Sequence, residues 1–134
     1  MTDTLVPGNE DTLAAPAIRG DRPVVRVLGT SVTLIEPHKR AAERDLDIDL
    51  EYITLDGTAA QRRGALEPGS FDIYDQWFHD VDLIWPTGSI QAIDINRLHR
   101  WDEINDLPKH GRLSPDGPVA LGSRIAGQTH GTHY

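Results

Sequence analysis

Acidic and aromatic side chains lie close together in one short stretch of the chain. Asp75 and Asp80 flank Trp77 and Phe78, and a further acid, Asp56, precedes them in the sequence. A carboxylate pairs with an ammonium group, and the face of an aromatic ring attracts the same cation. We therefore interpret these five residues as candidates for one side of an amine-binding pocket. In the alternative, structural interpretation, Asp56 forms a turn and Trp77 packs in the core.

Two hydroxyl side chains, Thr30 and Ser31, follow the first apolar run of the sequence. Both are candidates to line the same pocket, and Ser31 is placed to hydrogen-bond a solute. The alternative is that small hydroxyl residues here cap the start of a helix. A phosphate loop is excluded, because this segment lacks the glycine spacing and the lysine that such a loop uses.

Several kinds of chemistry are excluded by residue type. The chain has no cysteine, which removes disulfide scaffolds, thiolate metal sites and thiol catalysis. A single pair, His79 and Asp80, is too sparse to define a metal site. No Gly-x-Ser-x-Gly nucleophile motif occurs in the sequence. We therefore expect no enzymatic activity, no metal ion and no cofactor.

The charge of the chain limits the classes of partner that it can bind. The net charge of −8, from 21 acidic and 13 basic residues, argues against nucleic acid, because proteins that bind phosphate backbones present a basic face. No apolar run approaches the roughly 20 residues that a membrane-spanning helix needs. The first residues include acids where a signal peptide has basic residues, so no export signal is visible in the sequence.

Hydrophobic periodicity predicts the elements that position these side chains. Short apolar or alternating runs predict strands, and apolar residues at helical spacing predict helices. Thr58 and Gln61 have the spacing of a capping box that opens the second helix. The predicted strands cover residues 24–28, 48–54 and 71–75, and the predicted helices cover residues 37–45, 58–66 and 78–85.

Strands and helices alternate in this order, which predicts an α/β fold: a three-layer lobe with a mostly parallel sheet and right-handed crossovers. Ligands of such sheets bind outside the carboxyl ends of the strands. We therefore expect three loops, at residues 29–31, 55–58 and 74–77, to meet at one edge of the sheet.

Composition divides the chain into three regions. Residues 1–23 are rich in proline, glycine and polar residues, which predicts a flexible arm with regular structure beginning at Val24. Residues 24–107 form the predicted lobe. Residues 108–134 are dense in glycine, proline, serine and threonine, which predicts an irregular tail.

The order and spacing of several segments are similar to those of a known family. The segments VRVLGTS, IDLEYITLDG, GSFDI and GSIQAIDINRL occur in this order between residues 24 and 107. They resemble the N-terminal lobe of the extracellular solute-binding proteins of ABC importers, closest to the spermidine/putrescine-binding branch. In that branch the third strand opens with a Gly-x-aromatic-Asp step, and a Gly, a Gln and an Asp follow. The matching residues are Gly69, Ser70, Phe71 and Asp72, then Gly88, Gln91 and Asp94.

The resemblance implies half of a type II periplasmic-binding-protein fold, which captures a small solute between two lobes and delivers it to permease subunits in the membrane. It also implies a periplasmic location and a second lobe that the 134 residues are too few to contain. The family's Ser-Asp-Tyr-like triplet corresponds here to Trp77, Phe78 and His79. The aromatic wall is therefore kept, but a polyamine ligand requires Asp75 or Asp80 to replace the missing acid.

Two alternatives come from other functional classes. A similar α/β lobe serves as the ligand-sensing domain of transcription regulators, which would require a DNA-binding segment. A small flavodoxin-like or hydrolase enzyme is the other alternative, and it would require a bound flavin or a metal ion.

Overall fold

The computed structural model of the chain describes residues 17–91, 93–109, 112 and 114–117. Four strands and four helices follow each other along this part of the chain. They are β1 (Ala17–Arg19), β2 (Arg22–Gly29), α1 (Glu36–Leu46), β3 (Asp49–Thr54), α2 (Gly57–Leu66), β4 (Ile73–Tyr74), α3 (Phe78–Ile84) and α4 (Asp106–Lys109). Short 3-10 turns cover Pro68–Ser70, Trp85–Thr87, Ile95–Arg97 and Trp101–Glu103.

Strand β2 is the centre of the sheet. On one side it pairs with β3 in parallel along its length, from Val24 opposite Asp49 to Gly29 opposite Thr54. On its other side, β1 pairs antiparallel with the start of β2, and β4 pairs in parallel with Val27 and Leu28 near its end. The three parallel strands therefore have the order β3-β2-β4 and are linked by helices. This arrangement confirms the predicted α/β class.

The prediction that regular structure begins at Val24 is wrong, because residues 17–24 form a hairpin. Ala17 pairs with Val24, and Arg19 pairs with Arg22 across a two-residue turn. Gly20, the first turn residue, has φ +65°, a conformation that glycine adopts without steric cost. The remainder of the expected arm, residues 1–16, lies outside the described residues.

The sheet carries helices on both faces. Helix α1 lies over the face of Tyr52: the Tyr52 hydroxyl is 3.5 Å from the carbonyl of Ile35, and Lys39 Nζ lies 5.9 Å from the ring centre. Helices α2 and α3 cover the opposite face, where the core is found, and Ile53 packs against that core. The buried residues of the core are Leu28, Ala60, Phe71, Tyr74, Val81 and Ile84.

The predicted second strand is partly buried on both of its faces. In the sequence, Leu50 and Tyr52 alternate with the acids Asp49 and Glu51, so the apolar side chains and the acids lie on different faces. In the structure Leu50, Tyr52 and Ile53 are all half-buried, and only Ile53 is among the residues packed against the core. Both faces are covered in a three-layer fold, so a strict in-out alternation does not apply.

Arg26 joins β2 to the segment before β4. Its guanidinium binds both carboxylate oxygens of Asp72, at 3.0 Å and 2.9 Å, and donates to the carbonyl of Gly69 at 3.0 Å. Two further bonds involve the backbone: the Arg26 N–H donates to Asp72 Oδ2, and the Asp72 N–H donates to the Arg26 carbonyl. This pairing holds the pKa of Asp72 below its usual range. The Asp of the Gly-x-aromatic-Asp step thus has a structural role.

Arg22 closes the carboxyl end of α1. It donates to the backbone carbonyls of Glu43 and Ile48, and its guanidinium lies within 3.4 Å of Asp47 and Asp49. Asp47 has φ +53° and ends the helix in the left-handed conformation. We call Arg22, Arg26 and the groups that they contact the clamp region.

The remaining elements are short. The predicted third strand, residues 71–75, is reduced to Ile73–Tyr74. The stop predicted after α3 is confirmed, since Gly88 has φ +72° and follows the turn Trp85–Thr87. Helix α4 crosses residue 108, where the irregular tail was expected to begin, and residues 118–134 lie outside the described residues.

Candidate functional site

Three loops meet at the carboxyl ends of the parallel strands. The Leu55 N–H donates to the Gly29 carbonyl at 3.0 Å, and the Asp75 N–H donates to the Leu28 carbonyl at 2.8 Å. The Trp77 ring reaches the start of α2, where a Cβ on Gly57 would lie 3.2 Å from Trp77 Cζ3. We call residues 29–31, 55–58 and 74–77 the strand-end edge. The three loops of this edge are those that the sequence predicted.

Gly29 allows two of these loops to approach each other. A Cβ at this position would lie 2.7 Å from the backbone oxygen of Asp75 and 3.3 Å from the Leu34 side chain. The first distance is shorter than carbon and oxygen tolerate, and the backbone of Asp75 is held in place by the bond of its N–H to the Leu28 carbonyl. Glycine is therefore required here for close packing rather than for an unusual dihedral angle.

Asp56 is the N-cap of α2. Its side chain accepts a hydrogen bond from the Ala59 N–H at 2.9 Å, and its carbonyl accepts from Ala60. The structural interpretation of Asp56 is therefore supported by geometry. The predicted cap at Thr58 is wrong: Thr58 lies one residue inside the helix, because Asp56 offers the same capping chemistry two residues earlier.

Thr30 and Ser31 occupy different environments. Thr30 is buried, its hydroxyl accepts a long hydrogen bond of 3.4 Å from the Val32 N–H, and its carbonyl accepts from Leu34. Thr30 therefore stabilises the loop through these two hydrogen bonds. Ser31 is exposed at the edge.

The carboxylates of Asp75 and Asp80 each raise the pKa of a tyrosine, and the two tyrosines lie on opposite faces of the sheet. Burial raises the pKa of Tyr52, and the carboxylates of Glu36 and then Asp75 raise it further. Burial, followed by the carboxylate of Asp80, raises the pKa of Tyr74 far above its usual range. The register places Tyr52 and Tyr74 on opposite faces, because they align with successive residues of β2. Asp75 therefore lies near Tyr52, and Asp80 lies near Tyr74.

The exposure of the remaining candidates differs. Asp75 is half-buried, Trp77 is 48% exposed and Asp80 is 7% exposed. Phe78 is the first residue of α3, and its side chain lies outside the described atoms. Of these three side chains, Trp77 is therefore the most accessible to solvent, and Asp75 is more accessible than Asp80.

Sequence reasoning missed the most unusual residue of the edge. Gln76 is 4% exposed, and neither its Nε2 nor its Oε1 has a hydrogen-bond partner within the described part of the chain. The hydroxyl of Tyr74 is also buried without a partner among those residues. Strand alternation through 74–76 was the available signal, because it places Gln76 on the same face as Tyr74. The alternation alone does not indicate that α2 and α3 bury that face of the sheet.

Comparison with family models, with curated proteins and with solved structures finds no match. The described residues hold no cluster of three or more His, Cys, Asp or Glu side chains arranged to bind a metal ion. None of the helices within them has both the length and the apolar character to cross a membrane.

Proposed function

We propose that this chain is the N-terminal lobe of a solute-binding component of an ABC importer, with half of a type II periplasmic-binding-protein fold. In the periplasm it captures a small solute, a polyamine or a related amine, and passes it to permease subunits in the membrane without catalysing a reaction. The strand order β3-β2-β4 supports this proposal, since solutes of parallel α/β sheets bind at the carboxyl ends of the strands.

The single observation that carries the proposal is the position of Asp75 beside Trp77 at the strand-end edge. Within the described residues, no hydrogen bond or ion pair of the Asp75 carboxylate is found, whereas Asp56 is engaged as a helix cap. Nearly half of Trp77 is exposed next to it in sequence. A carboxylate and a partly exposed aromatic ring together match the needs of an ammonium group.

The mechanism follows from a half-open site. The edge offers one wall, and a second lobe that closes over it by a hinge motion excludes water from the bound cation. Removing water strengthens both the ion pair with Asp75 and the attraction to Trp77. One wall alone is therefore expected to bind with millimolar affinity, and the closed cleft much more tightly.

Saturation-transfer NMR tests this proposal, because it detects millimolar binding. Spermidine and putrescine should each receive saturation from the wild-type chain and much less from the variant Asp75→Asn. The variant Asp102→Asn removes the same charge from an exposed position away from the edge, and it should bind like the wild type. Equal transfer from Asp75→Asn and Asp102→Asn would contradict the site.

Calorimetry adds a check on the half-site. Micromolar affinity of the 134-residue chain for either amine would contradict a cleft that needs a second wall. The alternatives have their own signatures: a bound flavin gives visible absorbance, and a hydrolase metal is found by elemental analysis.

A further inference from the structure

Gln76 carries the strongest unexplained feature of the described residues. Its carboxamide has two N–H donors and an oxygen with two lone pairs. The side chain is 4% exposed, yet neither its nitrogen nor its oxygen is bonded within the described part of the chain. Most buried polar groups in native proteins are hydrogen-bonded, and leaving one unpaired is costly. A residue that keeps both atoms unpaired is therefore a candidate for a partner from outside the lobe.

The location of Gln76 indicates where that partner arrives. Gln76 follows Asp75, whose N–H makes the last bond to β2, and precedes Trp77, the N-cap of α3. Asp75 is half-buried and Trp77 is 48% exposed, so the carboxamide belongs to a segment that reaches the surface on both sides. Alternation places it on the same face as the Tyr74 hydroxyl, which is also buried without a partner among the described residues.

The two unpaired atoms constrain the chemistry of the partner. A charged polyamine offers N–H donors only, so it can satisfy Oε1 of Gln76 but leaves the two N–H groups unpaired. A solute that also has a carbonyl can accept from Nε2. A diamine that is acylated on one nitrogen has both an amide carbonyl and an amide N–H, and its other nitrogen remains an ammonium group for Asp75 and Trp77.

We infer that Gln76 binds the solute through its carboxamide, and that the solute is an amine that also carries a carbonyl group, such as an N-acylated diamine. This inference rests on the proposed function, because it assigns a substrate class to the same edge. It makes Gln76 a specificity-determining residue, with Asp75 and Trp77 contacting the ammonium end and Gln76 the carbonyl end.

The test compares two solutes on the wild-type chain by ¹⁵N NMR. The side-chain NH₂ signals of Gln76 are identified by their loss in the variant Gln76→Leu. N-acetylputrescine should shift these signals and bind about tenfold more tightly than putrescine, the gain expected when unpaired buried groups find partners. Equal or tighter binding of putrescine, or unmoved Gln76 signals at saturation with N-acetylputrescine, would overturn the inference.

Variants give a second, independent comparison. Gln76→Leu should weaken N-acetylputrescine binding about tenfold and weaken putrescine binding by a smaller factor, because putrescine can pair only with the Gln76 oxygen. Gln91→Leu makes the same change at an exposed position and should alter neither affinity. If Gln76→Leu does not fold, the comparison of the two solutes on the wild-type chain still decides.

The two proposals fail in different ways. Binding of both solutes at the edge without preference for N-acetylputrescine overturns the role of Gln76 and retains the amine site. No change at any strand-end signal with either solute overturns the amine site and, with it, this inference.

Discussion

Arg22 and Arg26 at the clamp region are surrounded by acceptors, whereas Gln76 and Tyr74 at the strand-end edge are buried with polar atoms left unpaired within the described residues. The guanidinium of Arg26 binds both oxygens of one carboxylate and a backbone carbonyl. In the clamp region only Arg22 Nε lacks a hydrogen bond among the described residues, and it lies 3.3 Å from Asp47 Oδ1.

This difference indicates that the clamp region stabilises the fold, whereas the strand-end edge keeps polar groups for binding. The bidentate Arg26–Asp72 pair fixes β2 against the segment before β4, and such pairs are among the stronger polar interactions. The bonds of Arg22 to the Glu43 and Ile48 carbonyls fix the start of β2 against the end of α1. At the other end the lobe retains unpaired groups that lower its own stability. Proteins keep such groups where a partner uses them, and binding sites are commonly less stable than their scaffold.

Replacing Arg26 tests the clamp region and should give the largest effect. Arg26→Ala leaves Asp72 without its partner, and the two side chains are only 22% and 23% exposed. We expect the free energy of unfolding to fall by about 3 kcal/mol, at the upper end for hydrogen bonds to a charged group, because the Arg26 side chain makes three such bonds. Chemical denaturation measures it. Arg19→Ala removes an exposed pair with Glu51 and should change the free energy of unfolding by less than about 1 kcal/mol. Equal losses of stability in Arg26→Ala and Arg19→Ala would contradict the stabilising role of the clamp region.

The pairing of Asp72 with Arg26 also predicts how the free energy of unfolding depends on pH. Arg26 lowers the pKa of Asp72 in the folded chain, so the ionised form stabilises the fold. That contribution is complete above the unfolded pKa of about 3.9 and is lost as the pH falls through the lower folded value. The stability difference between wild type and Asp72→Asn should be about 2 kcal/mol at neutral pH and shrink below about pH 4. A difference independent of pH would contradict the pairing.

Gly29 tests how closely the loops of the strand-end edge must pack. Gly29→Ala places a Cβ 2.7 Å from the Asp75 carbonyl oxygen. We expect a loss of about 2 kcal/mol in the free energy of unfolding, as for overpacking elsewhere. Gly69→Ala is the matched control, since a Cβ there meets no atom within 4 Å. If the two variants are equally stable, the loops do not meet as described.

Gln76 gives the smallest expected change in stability and the opposite sign. Gln76→Leu removes two unpaired buried atoms and keeps a similar volume, so the free energy of unfolding should rise by about 1 kcal/mol. Thermal and chemical denaturation both measure it. Gln91→Leu, at an exposed position, should be neutral. A loss of stability specific to Gln76→Leu would mean that the carboxamide already has a partner, and the contrast between the two ends would disappear.

The sequence predicts the order of the parallel strands and the three loops of the strand-end edge, because short apolar runs and glycine- or proline-rich stops are local signals. The hairpin at residues 17–24 escaped prediction, since its Gly20-Asp21 turn lies among prolines and polar residues that resemble a flexible arm. The capping position was misplaced for a related reason: Asp56 and Thr58 both have capping chemistry.

The site is less predictable than the fold because it depends on burial by distant elements. Trp77 and Asp75 were predicted as candidates from residue type alone, and that role stays a prediction. The burial of Gln76 and Asp80 depends on tertiary packing, which no local pattern reports. The placement of Asp75 and Asp80 near tyrosines of opposite faces depends on strand register, since Tyr52 and Tyr74 align with adjacent residues of β2.

A backbone chemical-shift map of the 134-residue chain during titration with spermidine tests whether amines bind at the strand-end edge. We expect shifts concentrated at residues 29–31, 56–58 and 75–77, with the amides of Arg22, Arg26 and Asp72 unchanged. Shifts centred on the clamp region, or no shift at the strand-end edge at millimolar spermidine, would contradict it.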